Sequence, residues 1–520
     1  MSDHKPLPIG IQTFRDIVTG GYLYVDKTAW IYELIRHPKG VYFLSRPRRF
    51  GKSLLISTLD AIFQGERDLF TGLWLYDSSY QWQEHPVIRL DFSRSPVRSA
   101  AELEKNIERM LGRIAQQHNI TLSSGNYAQL FEDLILDLAQ QGQVVILVDE
   151  YDKPILDNIE GLEEAKRIRE TLKSFYTVIK SMDAYVRFVL LTGVSKFSKV
   201  GVFSGLNNLR DISFDNRYAA MLGITQSELE GYFQVTLPTL AAQQGQTAAE
   251  LLADIRAWYN GFCFSNACEP VYNPFSLFLF WDAQRFGNYW FESGTPTFLL
   301  KLIQSRGYDV PQLEQLNLPE LAFSSYEIES LDIVPLLYQT GYLTIKGYDP
   351  ETRRYRLYYP NYEVEHAFSY HLLGVFGDVE LALATDYLGR LAQALRERTW
   401  EEFFAILNTL LANIPYEMHI RQERYYQTVF YLVLKLLGLE ITGEPSTSRG
   451  RPDAVVTLPD GVFIFEFKLD GTAVSALQQI KARQYFAAYK ETGKPITLVG
   501  ANFATDTRQI SEWQIEVLSL

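Results

Sequence analysis

Near its N-terminus the chain reads Arg46-Pro47-Arg48-Arg49-Phe50-Gly51-Lys52-Ser53, between an apolar run at residues 41–45 and the helix-like run Lys52–Phe63. Gly51-Lys52-Ser53 fits the end of the phosphate-binding pattern G-x-x-x-x-G-K-[ST], but Arg46 occupies the place of the first glycine. Backbone N–H groups of such a loop, at the start of a helix, form a nest for phosphate. We expect Lys52 to neutralise phosphate charge and Ser53 to bind Mg²⁺. The expected nucleotide contacts are Arg48, Arg49, Phe50, Gly51, Lys52 and Ser53.

The arginines of this loop are its unusual feature. Arg46, Arg48 and Arg49 could bind the γ-phosphate, a neighbouring subunit or nucleic acid through their guanidinium groups. One or two of them could equally face solvent. The sequence does not choose between these alternatives.

A second apolar run, residues 144–148, ends in Asp149 and Glu150. An acid at the end of a buried strand is costly unless it faces a cation or water. We expect Asp149 to hold Mg²⁺ and Glu150 to orient or deprotonate the attacking water. Thr192 or Ser195, after the next strand, could sense the γ-phosphate, or could belong to an ordinary strand-ending turn.

The order of elements predicts an α/β fold. Short apolar strands alternate with helical stretches over the first ~220 residues, which is typical of a parallel sheet. We expect a P-loop NTPase domain at residues 1–225 and a helical and winged-helix-like region at 226–375. A further α/β domain is expected at residues 376–520.

The last of these domains carries Arg451-Pro452-Asp453 and, after a predicted hairpin, Glu466-Phe467-Lys468. Residues i and i+2 of a strand share a face, so Glu466 and Lys468 point the same way. Asp453, Glu466 and the backbone carbonyl of Phe467 would offer Mg²⁺ the oxygen ligands it prefers. Lys468 would position the nucleophilic water or stabilise charge on the phosphorane. Taken alone, an acid-x-lysine pair is common on exposed strands.

Neighbouring residues could contribute to this site. Glu423, on the preceding helix, could add a carboxylate. Gln478 and Tyr485 are seven residues apart on the following predicted helix, residues 473–489, and would share a face. Arg449 and Arg451 stand in a basic loop suited to phosphate contact.

These motifs resemble a family of bacterial and archaeal proteins with an AAA-ATPase-like N-terminal region and a C-terminal PD-(D/E)XK nuclease superfamily domain. The resemblance implies ATP and Mg²⁺ as cofactors, with Asp453, Glu466 and Lys468 in the catalytic positions and Lys52, Ser53 and Asp149 in the nucleotide positions. It rests on residues 46–53, 148–152, 193–198, 204–208, 272–274, 451–453 and 466–468.

The composition limits the modes of nucleic-acid binding, the state of the cysteines and the cellular location that we expect. A net charge of −13 over 520 residues argues against a protein that coats nucleic acid by bulk charge, but does not exclude a local basic groove. Cys263 and Cys268 are too few for a disulfide framework, so we expect reduced thiols. No signal pattern or membrane-length apolar run is present, which predicts a cytoplasmic protein without membrane contact.

Two functions remain open. The first is an ATP-dependent or ATP-gated, Mg²⁺-dependent nuclease in defence or mobile-element biology, acting as a homo-oligomer. We expect DNA as its substrate, with RNA as an alternative that the sequence does not distinguish from it. The second is a nucleotide-switched sensor or scaffold that oligomerises and binds nucleic acid or protein without cutting.

Overall fold

The computed structural model describes residues 5–197, 202–292, 297–314, 316–323, 329, 332–413, 422–437, 454–458 and 460–518. The chain divides into two compact units: Met1–Thr295 with Leu316–Val364, and Pro296–Gln315 with Glu365–Leu520. In those ranges we find no helix with the length and apolar character that a bilayer crossing requires.

The first unit contains a five-stranded parallel sheet in the order β2-β3-β4-β1-β5. Every residue of β3 is buried, as expected for a parallel strand that is covered on both faces. Sequence reasoning therefore identified the sheet correctly. Its strands are β1 (Gly40–Ser45), β2 (Val87–Asp91), β3 (Val144–Asp149), β4 (Val186–Gly193) and β5 (Arg210–Asp211).

Seven helices accompany these strands in sequence. They are α1 (Phe14–Thr19), α2 (Thr28–Ile35), α3 (Lys52–Phe63), α4 (Ala100–Gln117), α5 (Tyr127–Leu138), α6 (Lys153–Leu156) and α7 (Leu162–Ser181). Leu55 and Ile62 of α3 share a core with Val145 and Leu147 of β3. Because residues i and i+2 of a strand share a face, this contact fixes which face of β3 the helix covers.

The next part of the first unit is helical and ends in a small antiparallel sheet, in the order β6-β8-β7. The winged-helix-like region expected here would contain a helix followed by a hairpin, and α14 with β7 and β8 has that order. The elements are α8 (Gln226–Phe233), α9 (Thr236–Gln243), α10 (Ala248–Tyr259), α11 (Pro274–Ala283), α12 (Tyr289–Glu292), α13 (Thr297–Ser305, in the second unit), β6 (Leu316–Leu318), α14 (Ile333–Thr340), β7 (Thr344–Asp349) and β8 (Arg354–Tyr358).

The second unit is built around a mixed sheet in the order β12-β11-β10-β9. Strands β10 and β11 are parallel, and both outer pairs are antiparallel. Its elements are α15 (Tyr362–Gly377, which begins at the boundary), α16 (Leu381–Glu397), α17 (Trp400–Ala412), α18 (Gln422–Leu436), β9 (Ala454–Leu458), β10 (Gly461–Leu469), α19 (Ala473–Arg483), β11 (Ile496–Ala504) and β12 (Gln509–Leu518). Strand β12 was not predicted.

The two faces of β10 differ in character. Phe465 stacks on Phe403 of α17, and Phe467 stacks on Phe430 of α18, with ring centroids 5.9 and 4.4 Å apart. The other face carries Glu466 and Lys468 and lies against α19. This helix approaches β11 so closely that a Cβ at Gly500 would lie 2.5 Å from the carbonyl oxygen of Ala473.

One expectation about the cysteines is wrong. Cys263 and Cys268 form a disulfide, where reduced thiols were expected. The two residues flank a short turn, so their small separation in sequence brings the sulfur atoms together. Cys263 is fully buried, and its N–H donates to the hydroxyl of Thr344 on β7 at 2.7 Å.

Candidate functional site

The phosphate loop has the backbone shape that its sequence predicts. Strand β1 leads into the loop and α3 begins at Lys52. Arg49 and Gly51 both adopt positive φ, at 66° and 92°, a conformation that glycine reaches without steric cost. The loop therefore reaches the N-terminus of α3 through a left-handed residue, the setting in which backbone N–H groups converge on an anion.

Lys52 lies inside this loop. Its ammonium group donates to the backbone carbonyls of Arg46 and Pro47, each at 2.9 Å, and the residue is 5% exposed. Burial lowers the pKa of Lys52, while the nearby carboxylates of Glu150 and Asp149 act in the opposite direction. Ser53, the next residue, is partly exposed. The loop thus presents a lysine and a hydroxyl at the start of α3.

Arg46 has a structural role. Its guanidinium group donates to the carbonyls of Ser45, Ser213 and Tyr218 at 2.8 to 3.2 Å and lies 4.2 Å from the ring centroid of Phe264. The side chain is buried, and burial lowers its pKa to about 10. Contact of Arg46 with the γ-phosphate, one of the alternatives from sequence, is therefore not supported. The arginine that replaces glycine instead ties the loop to the chain after β5.

Phe50 contributes packing to the loop. Its side chain is 1% exposed and meets the rings of Phe262 and Phe264 edge-on, with centroids 4.8 and 5.4 Å apart. Any nucleotide contact of Phe50 must therefore come from its backbone. The aromatic contacts fix the loop against residues that lie more than 200 positions later in the sequence.

Arg48 and Arg49 are the exposed arginines of the loop. The Arg49 guanidinium lies 4.8 Å from the ring centroid of Phe275. The carbonyl oxygen of Arg48 accepts a hydrogen bond from the indole N–H of Trp290 at 3.0 Å. Their exposure is compatible with each of the ligands considered from sequence: phosphate, a subunit or nucleic acid.

The carboxylate of Asp149, the last residue of β3, is held in place by β4. The hydroxyl of Thr192 donates to Asp149 Oδ1 at 2.7 Å and to the carbonyl of Val148 at 3.2 Å. Asp149 is 3% exposed, so this bond orients a buried carboxylate. Glu150 adopts a left-handed backbone, with φ 52°, which is strained for a residue other than glycine. Thr192 therefore acts on Asp149, a role that sequence reasoning did not assign.

Asp152 is a further buried acid that sequence reasoning left without a role. Its Oδ2 accepts hydrogen bonds from the N–H groups of Val194 and Ser195, at 3.0 and 2.6 Å. Ser195 itself is fully buried, which argues against its direct contact with a phosphate. Asp152 joins the turn after β3 to the turn after β4. Its position three residues after Asp149 is the sequence feature that could have pointed to it.

The titration of Asp152 gives a prediction about stability. Burial raises the pKa of Asp152 from 3.8 to about 6, against the hydrogen bond from Ser195 N–H. The folded state therefore holds a proton that the unfolded chain releases near pH 3.8. As pH rises from 3.8 through about 6, this group removes about 3 kcal/mol from the free energy of unfolding.

Asp152→Asn should remove that dependence, because the amide keeps an acceptor oxygen but does not titrate. We expect the free energy of unfolding, measured with urea, to fall less between pH 3.8 and 7 in the variant than in the parent chain. Glu160→Gln, on the exposed surface, is the matched control. Identical pH profiles for the parent and Asp152→Asn would contradict the assignment.

The second candidate site is a polar cluster between β10 and α19. Glu466 is 2% exposed, and its Oε1 accepts hydrogen bonds from the Lys468 ammonium at 3.0 Å and from the side-chain amide of Gln479. The Lys468 ammonium also donates to Gln479 Oε1 at 2.7 Å. Hydrogen bonds among these three side chains thus fix the positions of a buried carboxylate and a partly exposed lysine.

The structure corrects the helix part of the prediction. Gln478 is exposed, and its neighbour Gln479 makes the contacts to Glu466 and Lys468. Tyr485 does reach the cluster, because its hydroxyl accepts a hydrogen bond from Gln479 at 3.4 Å. The shared face expected for Gln478 and Tyr485 is wrong, since α19 ends at Arg483 and Gln484 turns left-handed with φ 53°.

Several predicted residues of this site lie outside the described residues. They are Asp453, Arg449, Arg451 and the side chain of Glu423. The last described pair of the β9–β10 hairpin joins Ala454 to Phe465, the residues that follow Asp453 and precede Glu466 in sequence. The predicted hairpin between β9 and β10 is therefore present.

The described residues fit part of a site for a hard cation. Glu466 supplies a carboxylate, and Gln479 and the Phe467 carbonyl are further oxygen donors of the kind that Mg²⁺ takes. Within the described ranges, no three side chains of histidine, cysteine, aspartate or glutamate cluster closely enough to hold a metal ion. A complete site therefore requires the carboxylate that we expect from Asp453.

Gln479 provides a test of the cluster. With the nuclease chemistry that the sequence predicts, Gln479→Ala should slow phosphodiester cleavage by about tenfold, because Lys468 and Glu466 lose the amide that fixes them, at about 1 kcal/mol per hydrogen bond. Gln478→Ala, one position earlier and exposed, should leave the rate unchanged. Steady-state cleavage assays on both variants would check this, and equal rates for the two would contradict the assigned geometry.

Comparison with known proteins gives matches to both halves of the chain. Residues 8–203 match a family described as predicted AAA-ATPase, and residues 421–513 match the PD-(D/E)XK nuclease superfamily. A protein of Azotobacter chroococcum mcd 1, described as an uncharacterized protein in vnfD 5'region, is 41% identical over 530 residues, which cover 99% of both chains. The phosphate loop and Asp149 lie within the first match, and Glu466, Lys468 and Gln479 within the second.

Proposed function

The chain belongs to the family that joins a predicted AAA-ATPase domain to a C-terminal PD-(D/E)XK nuclease superfamily domain, and we propose that it is an ATP-gated, Mg²⁺-dependent nuclease. The observation that carries the proposal is the Glu466–Lys468–Gln479 cluster, which presents a buried carboxylate beside a positioned lysine. A family assignment supplies the class of chemistry, and the cluster supplies residues that could perform it.

In the first unit we assign roles around the phosphate loop. Lys52 would leave its two loop carbonyls to neutralise the charge of the β- and γ-phosphates. Ser53 and Asp149 would hold Mg²⁺, which withdraws charge from the phosphates, and Thr192 fixes the direction of the Asp149 carboxylate. Glu150 would orient or deprotonate the attacking water.

In the second unit Glu466 and Asp453 would hold Mg²⁺, together with the carbonyl of Phe467. A metal ion there lowers the pKa of a bound water and stabilises charge on the phosphate. Lys468 would position that water, or stabilise the extra charge on the phosphorus centre. Gln479 holds Lys468 at 2.7 Å, so the ammonium stays near the reacting phosphate.

Gating by ATP is supported by the surroundings of the loop. Trp290 bonds to the carbonyl of Arg48, and Gly341 lies so close to Pro47 that an added Cβ would be 2.8 Å from the proline ring. A change in the loop on nucleotide binding would act on Trp290, which stands five residues before the end of Met1–Thr295. We propose that this contact transmits the nucleotide state along the chain.

DNA is the substrate that we propose, with RNA as the alternative. A nuclease gated by ATP suits defence or mobile-element biology, because cleavage of the cell's own DNA has to wait for a trigger. The net charge of −13 disfavours broad binding to nucleic acid, so substrate contact should be local and dependent on the metal. We also propose that the chain forms a homo-oligomer in the cytoplasm.

The test is an assay on the purified full chain. Supercoiled, linear and single-stranded DNA and single-stranded RNA are incubated with Mg²⁺ or Mn²⁺, with and without ATP. We expect cleavage of DNA that requires the metal. Failure to cut any of these nucleic acids under any of these conditions would overturn the proposal.

A second function is favoured by one observation. The Lys468 ammonium lies 3.0 Å from Glu466, and this ion pair would close the carboxylate to a metal if it persisted. The chain would then be a nucleotide-switched sensor or scaffold that oligomerises and binds without cutting. Sizing of the full chain with and without a non-hydrolysable ATP analogue separates the two: assembly without cleavage supports the sensor, and an unchanged assembly state counts against it.

A further inference from the structure

A basic cleft lies along one edge of the parallel sheet. It is a cavity of about 550 Å³ between α3, β2 and α4. Strand β2 is the end strand of the sheet, with β3 and β4 between it and β1. At about 4.8 Å per strand spacing, β2 lies roughly 14 Å from the strand that leads to the phosphate loop. No residue of the phosphate loop lines the cleft, nor does Asp149 or Glu150, so it is distinct from the nucleotide site. Its size is that of a small-molecule pocket.

The charge in this cleft is unbalanced. Four arginines and two aspartates line it: Arg89, Arg94, Arg109, Arg113, Asp60 and Asp91. Each aspartate is already paired, Asp60 with Arg89 at 3.6 Å and Asp91 with Arg94 at 2.9 Å. Within the described ranges, no salt bridge involves Arg109 or Arg113. Two positive charges are thus left over in a chain whose net charge is −13.

The two remaining arginines stand four residues apart on α4 and so share a face of the helix. The Arg109 guanidinium donates to Ser95 Oγ at 3.0 Å and to Asn106 Oδ1 at 2.7 Å, so neutral partners orient it. On the opposite wall, the Nε of Arg89 is buried without a hydrogen-bond partner among the described residues. Because that atom is enclosed in the wall, the donors that an acceptor in the cleft can reach are chiefly those of the exposed Arg109 and Arg113.

We propose that this cleft binds a small, multiply phosphorylated ligand of nucleotide size. Guanidinium groups form two parallel hydrogen bonds to a phosphate, and several of them on facing walls suit a ligand with more than one phosphate. A cleft enclosed by two helices and a strand matches a small molecule better than the extended backbone of a nucleic acid. This site goes beyond the proposed nuclease activity.

The cleft is connected to the nucleotide site through β2. Asp91, at the end of β2, is in register with Asp149 at the end of β3. The N–H of Phe92, which lines the cleft, donates to the carbonyl oxygen of Asp149 at 3.2 Å. A ligand that moves the chain from Asp91 to Arg94 would therefore act on the backbone of the residue that we expect to hold Mg²⁺. The ligand would then be an effector of the ATPase.

The test is a calorimetric titration of the full chain with inorganic pyrophosphate. It uses the Lys52→Met background, in which binding at the phosphate loop is expected to be at least about 10²-fold weaker, and no cleavage is measured. We expect binding of one pyrophosphate that weakens at least about tenfold in Arg109→Gln/Arg113→Gln, because charge-assisted hydrogen bonds are lost. The matched control is Arg98→Gln/Lys105→Gln, which removes two exposed charges nearby but outside the cleft lining, and should bind as before.

A single change, Arg113→Gln, guards against loss of folding, because this exposed side chain makes no hydrogen bond among the described residues. It should weaken binding by itself. No binding of pyrophosphate, or equal weakening in the control pair, would overturn the proposal. A short DNA duplex serves as a second probe. If Arg109→Gln/Arg113→Gln lost binding to the duplex but kept binding to pyrophosphate, the cleft would be a nucleic-acid surface and the proposal would be overturned.

Discussion

Glu466→Ala is expected to abolish DNA cleavage and to leave ATP binding unchanged. The change removes the carboxylate that we expect to hold the metal, and it also leaves Lys468 without the acceptor 3.0 Å away. Loss of one group that stabilises charge in a transition state commonly slows a reaction by about 10²–10³-fold, and loss of the metal should slow it at least as much. Cleavage of plasmid DNA and binding of a fluorescent ATP analogue measure the two effects.

Because Glu466 is buried, its replacement by alanine could also disturb folding. A second, separate variant at the same position is therefore needed. Glu466→Gln keeps the shape and an acceptor oxygen for Lys468 and Gln479, so it should fold as the parent does but bind metal weakly. Glu491→Ala removes an exposed acid of the same unit and is the matched control. Cleavage by Glu466→Gln at the parent rate would rule out a metal-binding role for this residue.

Lys52→Met should weaken ATP binding by at least about 10²-fold. A charged hydrogen bond contributes about 1.5–3 kcal/mol, and Lys52 is expected to form such bonds with two phosphates. Methionine preserves the length and apolar part of the side chain, so packing at the start of α3 should change little. The dissociation constant for ATP, measured by calorimetry, checks this.

The control for this change is Lys173→Met, at a partly exposed lysine of α7 that forms an ion pair with Glu170. It should bind ATP as the parent chain does. Unchanged ATP affinity in Lys52→Met would mean that the loop around Gly51 does not bind nucleotide through this lysine. The alternative function, a nucleotide-switched sensor, would then lose its support as well.

The sequence was informative wherever a function depends on residues close together in the chain. The order of strand β1, loop and helix α3 follows from local pattern alone, and so does the end of β3 at Asp149. Alternation along β10 correctly separated the phenylalanine face from the face of Glu466 and Lys468. These features need only the period of a strand or the capping of a helix.

Features that depend on distant residues could not be predicted. The role of Arg46 was left open because its partners, the carbonyls of Ser213 and Tyr218, lie more than 160 positions away. Folding alone brings them together. The same is true of Asp152, whose two N–H partners belong to the turn after β4.

The error at Gln478 has a different cause. Selecting Gln478 and Tyr485 assumed one helix with a fixed phase, but the true phase was set by where the helix packs, and Gln479 is the residue that faces β10. Strand β12 was missed for a similar reason. Its alternation from Trp513 to Val517 is interrupted near Glu512, where the pairing with β11 shifts register. Such a bulge breaks the pattern that sequence reasoning follows.

The central claim is that the nucleotide site controls a metal-dependent nuclease in the same chain. The most direct measurement is the rate of DNA cleavage by the full chain in Mg²⁺ as ATP is titrated, for the parent, Lys52→Met and Glu466→Gln. We predict cleavage that rises with ATP in the parent, is lost in Glu466→Gln, and no longer responds to ATP in Lys52→Met. Cleavage by the parent at the same rate with and without ATP, or no cleavage at any ATP concentration, would contradict the claim.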